Sequence, residues 1–185
     1  MTLTRYTRGT LLISRVALLY LMSVTVVFGQ TEPAGHEWES ITEERLLNPE
    51  DGDWMSYRRT YDVTGFSPLD QINRANVDEL RLVWAYSMRD NSRWVPTPII
   101  ANGLMYVAEG SGRVVAFDVV SGDVAWIHQR SYPEDIELSQ AYPRHRGVSV
   151  YGDRIYWGTA DSYLVALEAT TGDQIWEVNT GDYTT

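Results

Sequence analysis

Residues 81–185 of this sequence predict an all-β fold, a partial β-propeller of about three four-stranded blades. The first sign is a series of short apolar runs, each ended by a turn pair such as Asn102-Gly103, Ser111-Gly112, Ser121-Gly122 or Thr171-Gly172. The second is a repeat. Tyr106 and Tyr156, Ala116 and Ala166, Gly122 and Gly172, and Trp126 and Trp176 are each separated by 50 positions. The third is an aromatic load of 7 Trp and 12 Tyr, which suits the space between packed sheets.

The elements follow in order. Arg81–Tyr86 reads as a first strand. Strands over 97–100, 104–108, 113–118 and 124–128 then make one unit. The same order returns over 147–150, 154–158, 163–168 and 174–178, with turns at Gly152-Asp153 and Asp161-Ser162. Trp84 and Trp126 are only 42 positions apart, so the period is not strict. The difference falls in Arg130–Arg146, a polar segment with Pro133 and Pro143 that reads as a long loop on one face.

Each unit carries the pattern A-x-D/E-x-x-x-G-x-x-x-W. In the first it is Ala116, Asp118, Gly122 and Trp126; in the second it is Ala166, Glu168, Gly172 and Trp176. A small Ala lets sheets approach. A Gly permits a left-handed turn between the last two strands. The Trp then packs flat between neighbouring blades.

The segment before the strands has two parts. Arg5 and Arg8 precede an apolar stretch, and Val16–Phe28 is free of charge. That is short for a membrane span and right for the core of a signal peptide, with Val27-Phe28-Gly29 before a cut at Gln30. The alternative is an uncleaved anchor in which Arg15 snorkels. Residues 1–29 are therefore set apart as an export signal, and the membrane is met only in transit. Residues 30–80 form an extension. Within it Thr42 can cap a short helix that Pro49 ends, and another turn or two of helix fits around Asn76–Leu80.

Composition excludes several classes. The net charge is −10, all 15 basic residues are Arg, and three of these lie in residues 1–29, which hold no acid. So acidic a chain is repelled by nucleic acid and anionic membranes. There is no cysteine, hence no disulfide, thiolate metal site, cysteine nucleophile or lipoprotein anchor. His36, His128 and His145 lack metal-ligand spacing. Glu109 and Asp161, at related turn positions, read as solvated carboxylates.

The extension carries the most specific signal. Glu44-Arg45-Leu46-Leu47, Trp54–Tyr61, Phe66–Asn73, Asn76-Val77, Leu80 and Trp84 resemble, phrase by phrase, the opening of the pyrroloquinoline quinone (PQQ)-dependent alcohol dehydrogenases. With the blades, the likeness covers residues 37–182. It implies the N-terminal part of a periplasmic quinoprotein, about three of roughly eight blades, that oxidises alcohols with PQQ and calcium. A periplasmic acceptor such as a cytochrome c would take the electrons.

Through the same resemblance, His145-Arg146-Gly147 makes Arg146 the cofactor contact. Thr159, at a strand end before Ala160-Asp161, is a weaker ligand candidate, its alternative being a hydroxyl that caps the turn. An Arg donates several hydrogen bonds to carboxylate or quinone oxygens; the alternative for Arg146 is a surface loop cation near Arg144. Two departures stand out. Gln140-Ala141 occupies the place of the family's vicinal cysteines, and Val95 that of a cofactor-contacting Glu. The family's calcium ligands, catalytic Asp and stacking Trp would fall after Thr185. No catalytic or metal-ligating residue is therefore expected in this chain, nor stable cofactor binding by it alone. The departures also leave open a cofactor-free propeller scaffold that binds protein partners in the cell envelope.

Overall fold

The computed structural model describes residues 37–89, 96–136 and 147–184. The export segment, Val95, Gln140-Ala141 and Arg146 lie outside these residues.

Eight strands form two antiparallel four-stranded sheets. The first sheet holds β1 Ile99–Ala101, β2 Leu104–Glu109, β3 Arg113–Asp118 and β4 Val124–Gln129, in sequence order. The second holds β5 Ser149–Tyr151, β6 Arg154–Gly158, β7 Tyr163–Glu168 and β8 Gln174–Asn179. Each sheet is a blade-like meander: the partial propeller read from the sequence is present, with two blades among the described residues where about three were expected. Turn chemistry sets the register. Asn102 and Gly103 both take positive φ, 51° and 78°, the left-handed pair that a two-residue hairpin needs.

The repeat holds in space. Ile99, Tyr106, Ala116 and Trp126 lie side by side across the first sheet, and Ser149, Tyr156, Ala166 and Trp176 do so across the second. A bulge follows Ala116 in one sheet and Ala166 in the other. The face of the first sheet bearing Tyr106, Val114, Ala116 and Trp126 shares one core with Val150, Ile155, Trp157, Val165 and Leu167 of the second. The opposite face of the first sheet presents Val107, Val115 and Phe117, which Tyr86 and Met88 cover.

Arg81–Tyr86 is not a strand: the described residues give it no partner. Leu82 and Val83 within it are exposed, and Trp84 packs on the first sheet. Strand-like composition marked the segment, but a strand exists only where a neighbour accepts its hydrogen bonds.

Thr42 caps α1 Glu43–Leu47 by accepting from the Arg45 N–H at 3.3 Å. The helical turn expected near Asn76–Leu80 is a single 3₁₀ turn, Val77–Glu79. Two isolated bridges fasten the extension to the sheets, Ile41 to Gly152 and Trp54 to Ile100. Arg45 adds a knot of contacts: it donates to Glu50, Asp53, Asn102 and the Glu39 carbonyl at 2.8–3.1 Å. No helix among the described residues is long and apolar enough to cross a membrane.

Candidate functional site

The repeated pattern builds a seat for an indole at each blade junction. Trp84 lies against Gly122 and Trp126 against Gly172; a β-carbon on either glycine would fall 2.4 Å from the ring. Both glycines have φ of 76°. The position therefore excludes a side chain twice, by conformation and by contact. The acid of the pattern shapes the turn: Asp118 accepts from the Val120 and Ser121 N–H groups at 2.9 and 2.7 Å. Glu168 likewise accepts from Thr170 and Thr171 at 2.9 and 2.6 Å.

The turn then offers a carbonyl to the docked indole. Trp126 Nε1 donates to Ala169 O at 2.9 Å, and Trp84 Nε1 to Val119 O at 3.3 Å. Tyr106 Oη donates to the same Ala169 carbonyl at 3.2 Å, and burial raises the Tyr106 phenol well above its ordinary range. Trp176 is half-buried and packs on Tyr156, 6.0 Å between ring centroids.

At one end of the sheets lies a polar cluster. Glu109 and Asp161 are not solvated: they are 1% and 4% exposed. Glu109 pairs with Arg113 at 3.1 Å. Those two residues face each other across β2 and β3, a local signal that the sequence carried. Asp161 accepts from Arg130 Nε and Nη2 at 2.6–3.0 Å. That partner is 31 positions away on the other sheet, so no local pattern marks it.

Arg130 also donates to Glu177 and lies over the Tyr163 ring, 4.5 Å from its centroid. Burial pushes the Asp161 carboxyl up, but Arg130 and the Thr159 hydroxyl outweigh it, holding it below the ordinary carboxylate range. Burial pushes Tyr132, whose hydroxyl accepts from Ala160 N–H, up to about 12.

Thr159 belongs to this cluster. Its hydroxyl donates to Asp161 and accepts from the Tyr163 N–H at 3.0 Å. It thus closes the β6–β7 turn, with its proton directed at a carboxylate.

A cavity of about 620 Å³ opens beside β5 and β6. Ser149, Tyr156, Gly158 and Leu164 line it from the second sheet, and Met55 and Tyr57 from the extension. Gly147 and Thr97, bridged in parallel, reach it from the strand entries. Gly147 has φ of 119°, and a β-carbon there would meet the Thr97 carbonyl at 2.8 Å. At Gly158 a β-carbon would meet nothing, so the wall is open at that point. Arg146 directly precedes Gly147 in the chain, and Thr159 directly follows Gly158. Among the described residues no cluster of three or more His, Asp or Glu could hold a metal ion.

Comparison with known proteins gives a consistent result. The chain is 34% identical over 151 residues to the dehydrogenase subunit of the quinone alcohol dehydrogenase of Acetobacter aceti, covering 80% of this chain and 20% of that one. It is 39% identical over 139 residues to quinohemoprotein alcohol dehydrogenase ADH IIB of Pseudomonas putida, covering 71% and 19%. Among solved structures, quinohemoprotein alcohol dehydrogenase ADHIIG of Pseudomonas putida HK5 superposes with a TM-score of 0.67 at 32% identity, over 77% of this chain and 21% of that one. The chain thus spans about a fifth of the length of these relatives. Residues 54–181 match the family described as "PQQ: Glucose/ethanol/alcohol dehydrogenase, beta-propeller domain", and the chain belongs to that family.

Proposed function

We propose that these residues form part of a periplasmic PQQ-dependent alcohol dehydrogenase that uses calcium and passes electrons to a cytochrome c. The observation that carries this reading is the family match over residues 54–181, which takes in the extension from Trp54 onward as well as both blades. The relatives named above are quinone and quinohaem alcohol dehydrogenases. The basic start and apolar stretch of residues 1–29 support export.

An anionic quinone would sit at one corner of the cavity, where Gly158 leaves the wall open. Arg146 precedes the lining residue Gly147 in the chain, and Thr159 follows Gly158 as a weaker second contact. Arg146 would hold an oxygen of the quinone by charge-assisted hydrogen bonds. Bound PQQ supplies the two-electron acceptor for the alcohol. The remaining groups named here orient and enclose. Arg130 fixes Asp161, Asp161 fixes Thr159, and the docked Trp residues hold the blades in register.

A chimera tests the proposal. Residues 37–184 would replace the matching fifth of Pseudomonas putida ADH IIB, and alcohol-dependent dye reduction would be followed with added PQQ and calcium. Turnover that falls at least about tenfold in Arg146→Ala supports the reading. A folded chimera that binds no PQQ overturns it in favour of a scaffold.

A further inference from the structure

Of the six Asn residues in the chain, only Asn102 is followed by Gly. The pair forms the two-residue turn between β1 and β2, with Asn102 at φ 51° and Gly103 at φ 78°. Asn tolerates this left-handed conformation better than most residues that carry a side chain. Gly in its place would also serve the turn, so the turn alone does not call for the amide.

The partners of the amide come from the extension. Asn102 Oδ1 accepts from Arg45 Nη2 at 3.1 Å, and Asn102 Nδ2 donates to the Glu39 carbonyl at 2.8 Å. Arg45 Nη1 donates to that same carbonyl at 2.8 Å. The Asp53 carboxylate accepts from the Asn102 backbone N–H and, at 3.0 Å, from Arg45 Nη2. The side chain of Asn102 is thus tied at both ends by residues 57 and 63 positions upstream. It is half-buried, so water reaches the turn.

An Asn-Gly pair carries a chemistry of its own. The Gly103 amide nitrogen, on losing its proton to hydroxide, attacks the Asn102 side-chain carbon Cγ. A C–N bond forms there, the bond from Cγ to Nδ2 breaks, and ammonia leaves with a proton taken from water. Water then opens the resulting succinimide at either carbonyl, leaving Asp or iso-Asp. Gly103 has no β-carbon to shield its nitrogen. Ring closure requires the Asn102 side chain to rotate until Cγ meets that nitrogen in line. The bonds to Arg45 and to the Glu39 carbonyl oppose that rotation.

We propose that Asn102 is a deamidation site that the docked extension holds closed. Reaction proceeds only from molecules in which the Arg45 knot has opened. The product then hinders re-docking. An Asp at position 102 has no side-chain N–H for the Glu39 carbonyl. An iso-Asp adds a backbone atom to the turn that sets Ala101 opposite Leu104, next to the bridge between Trp54 and Ile100.

Peptide mapping by mass spectrometry, on the full chain held at mildly alkaline pH, tests this. The reference is a short peptide of residues 98–107, which has no extension to hold it. Asn102 should react at least about tenfold more slowly in the folded chain than in the peptide. Arg45→Met should raise the rate in the chain at least about fivefold. Arg45→Lys keeps the charge but loses the fork that reaches several acceptors at once. It should give an intermediate rate, and it carries the test if far-UV circular dichroism shows Arg45→Met to be unfolded. Equal rates in chain and peptide overturn the proposal, as does a wild-type rate in the variant that carries the test. A slower reaction in Arg45→Met overturns it too, because the guanidinium would then activate the Asn102 carbonyl rather than clasp it.

Discussion

Trp126 lies so close to Gly172 that a β-carbon on the glycine would sit 2.4 Å from the indole ring. One tight contact thus joins the two sheets and fixes which residue each turn can carry. Gly172→Ala meets both the ring and a φ of 76°. It should cost about 2–5 kcal/mol, combining left-handed strain with overpacking. Gly152→Ala is the control: its φ is 65°, but nothing lies within 4 Å of the new carbon. It should cost only about 1–2 kcal/mol. Urea denaturation of both variants measures the difference.

Trp126 is 7% exposed and bonded to Ala169 O. Trp126→Ala should lower stability by about 3–5 kcal/mol, as for a large core truncation. Trp126→Phe keeps the ring contact and loses the N–H, so its cost should be smaller. A loss under about 1 kcal/mol for the Ala variant would mean that the indole does not hold the junction.

Arg130 is the cation on which the buried Asp161 depends. Arg130→Met should cost about 3–5 kcal/mol at neutral pH, because it strands a buried carboxylate. The pH dependence has a definite sign. In the wild type the Asp161 pKa is depressed, so its stabilisation is present above the unfolded value, about 3.9, and is lost as pH falls through the folded value. In the variant the desolvated carboxyl prefers its proton. The gap between the two proteins should therefore shrink on acidification, and equal gaps at pH 7 and pH 3 would contradict the pairing.

His128 sits at the same junction, with Nδ1 3.1 Å from the Gly172 carbonyl and its ring against Trp157. Burial lowers its pKa, and Arg130 lowers it further against the pull of Asp173 and Glu177. A histidine depressed in the fold loses stability as pH drops below its unfolded value, about 6.5. Stability should fall between pH 7 and pH 5, and His128→Gln should flatten that slope. Thermal melts across this range report it.

How much of this was legible in sequence depended on distance along the chain. The hairpins were, because Asn102-Gly103 and Ser121-Gly122 announce their turns locally. The docking pattern was too, since Ala, an acid, Gly and Trp return 50 positions on in the second unit. Arg81–Tyr86 looked like a strand because composition cannot show whether a neighbour is present. Asp161 looked solvated because its partner Arg130 comes from another sheet. Gly122 and Gly172 read as turn residues, and their second role as indole seats appears only once the sheets are stacked.

PQQ titration, followed by quenching of tryptophan fluorescence in the presence of calcium, tests the functional account most directly. It should be run on this chain alone and on the ADH IIB chimera described above. The proposed contacts, Arg146 and the weaker Thr159, are too few to offset the entropy of holding a free cofactor. The chain alone should therefore show no saturable binding, and the chimera should bind one PQQ per molecule, weakened in Arg146→Ala. Saturable micromolar binding by the chain alone, or none by a folded chimera, would contradict the account.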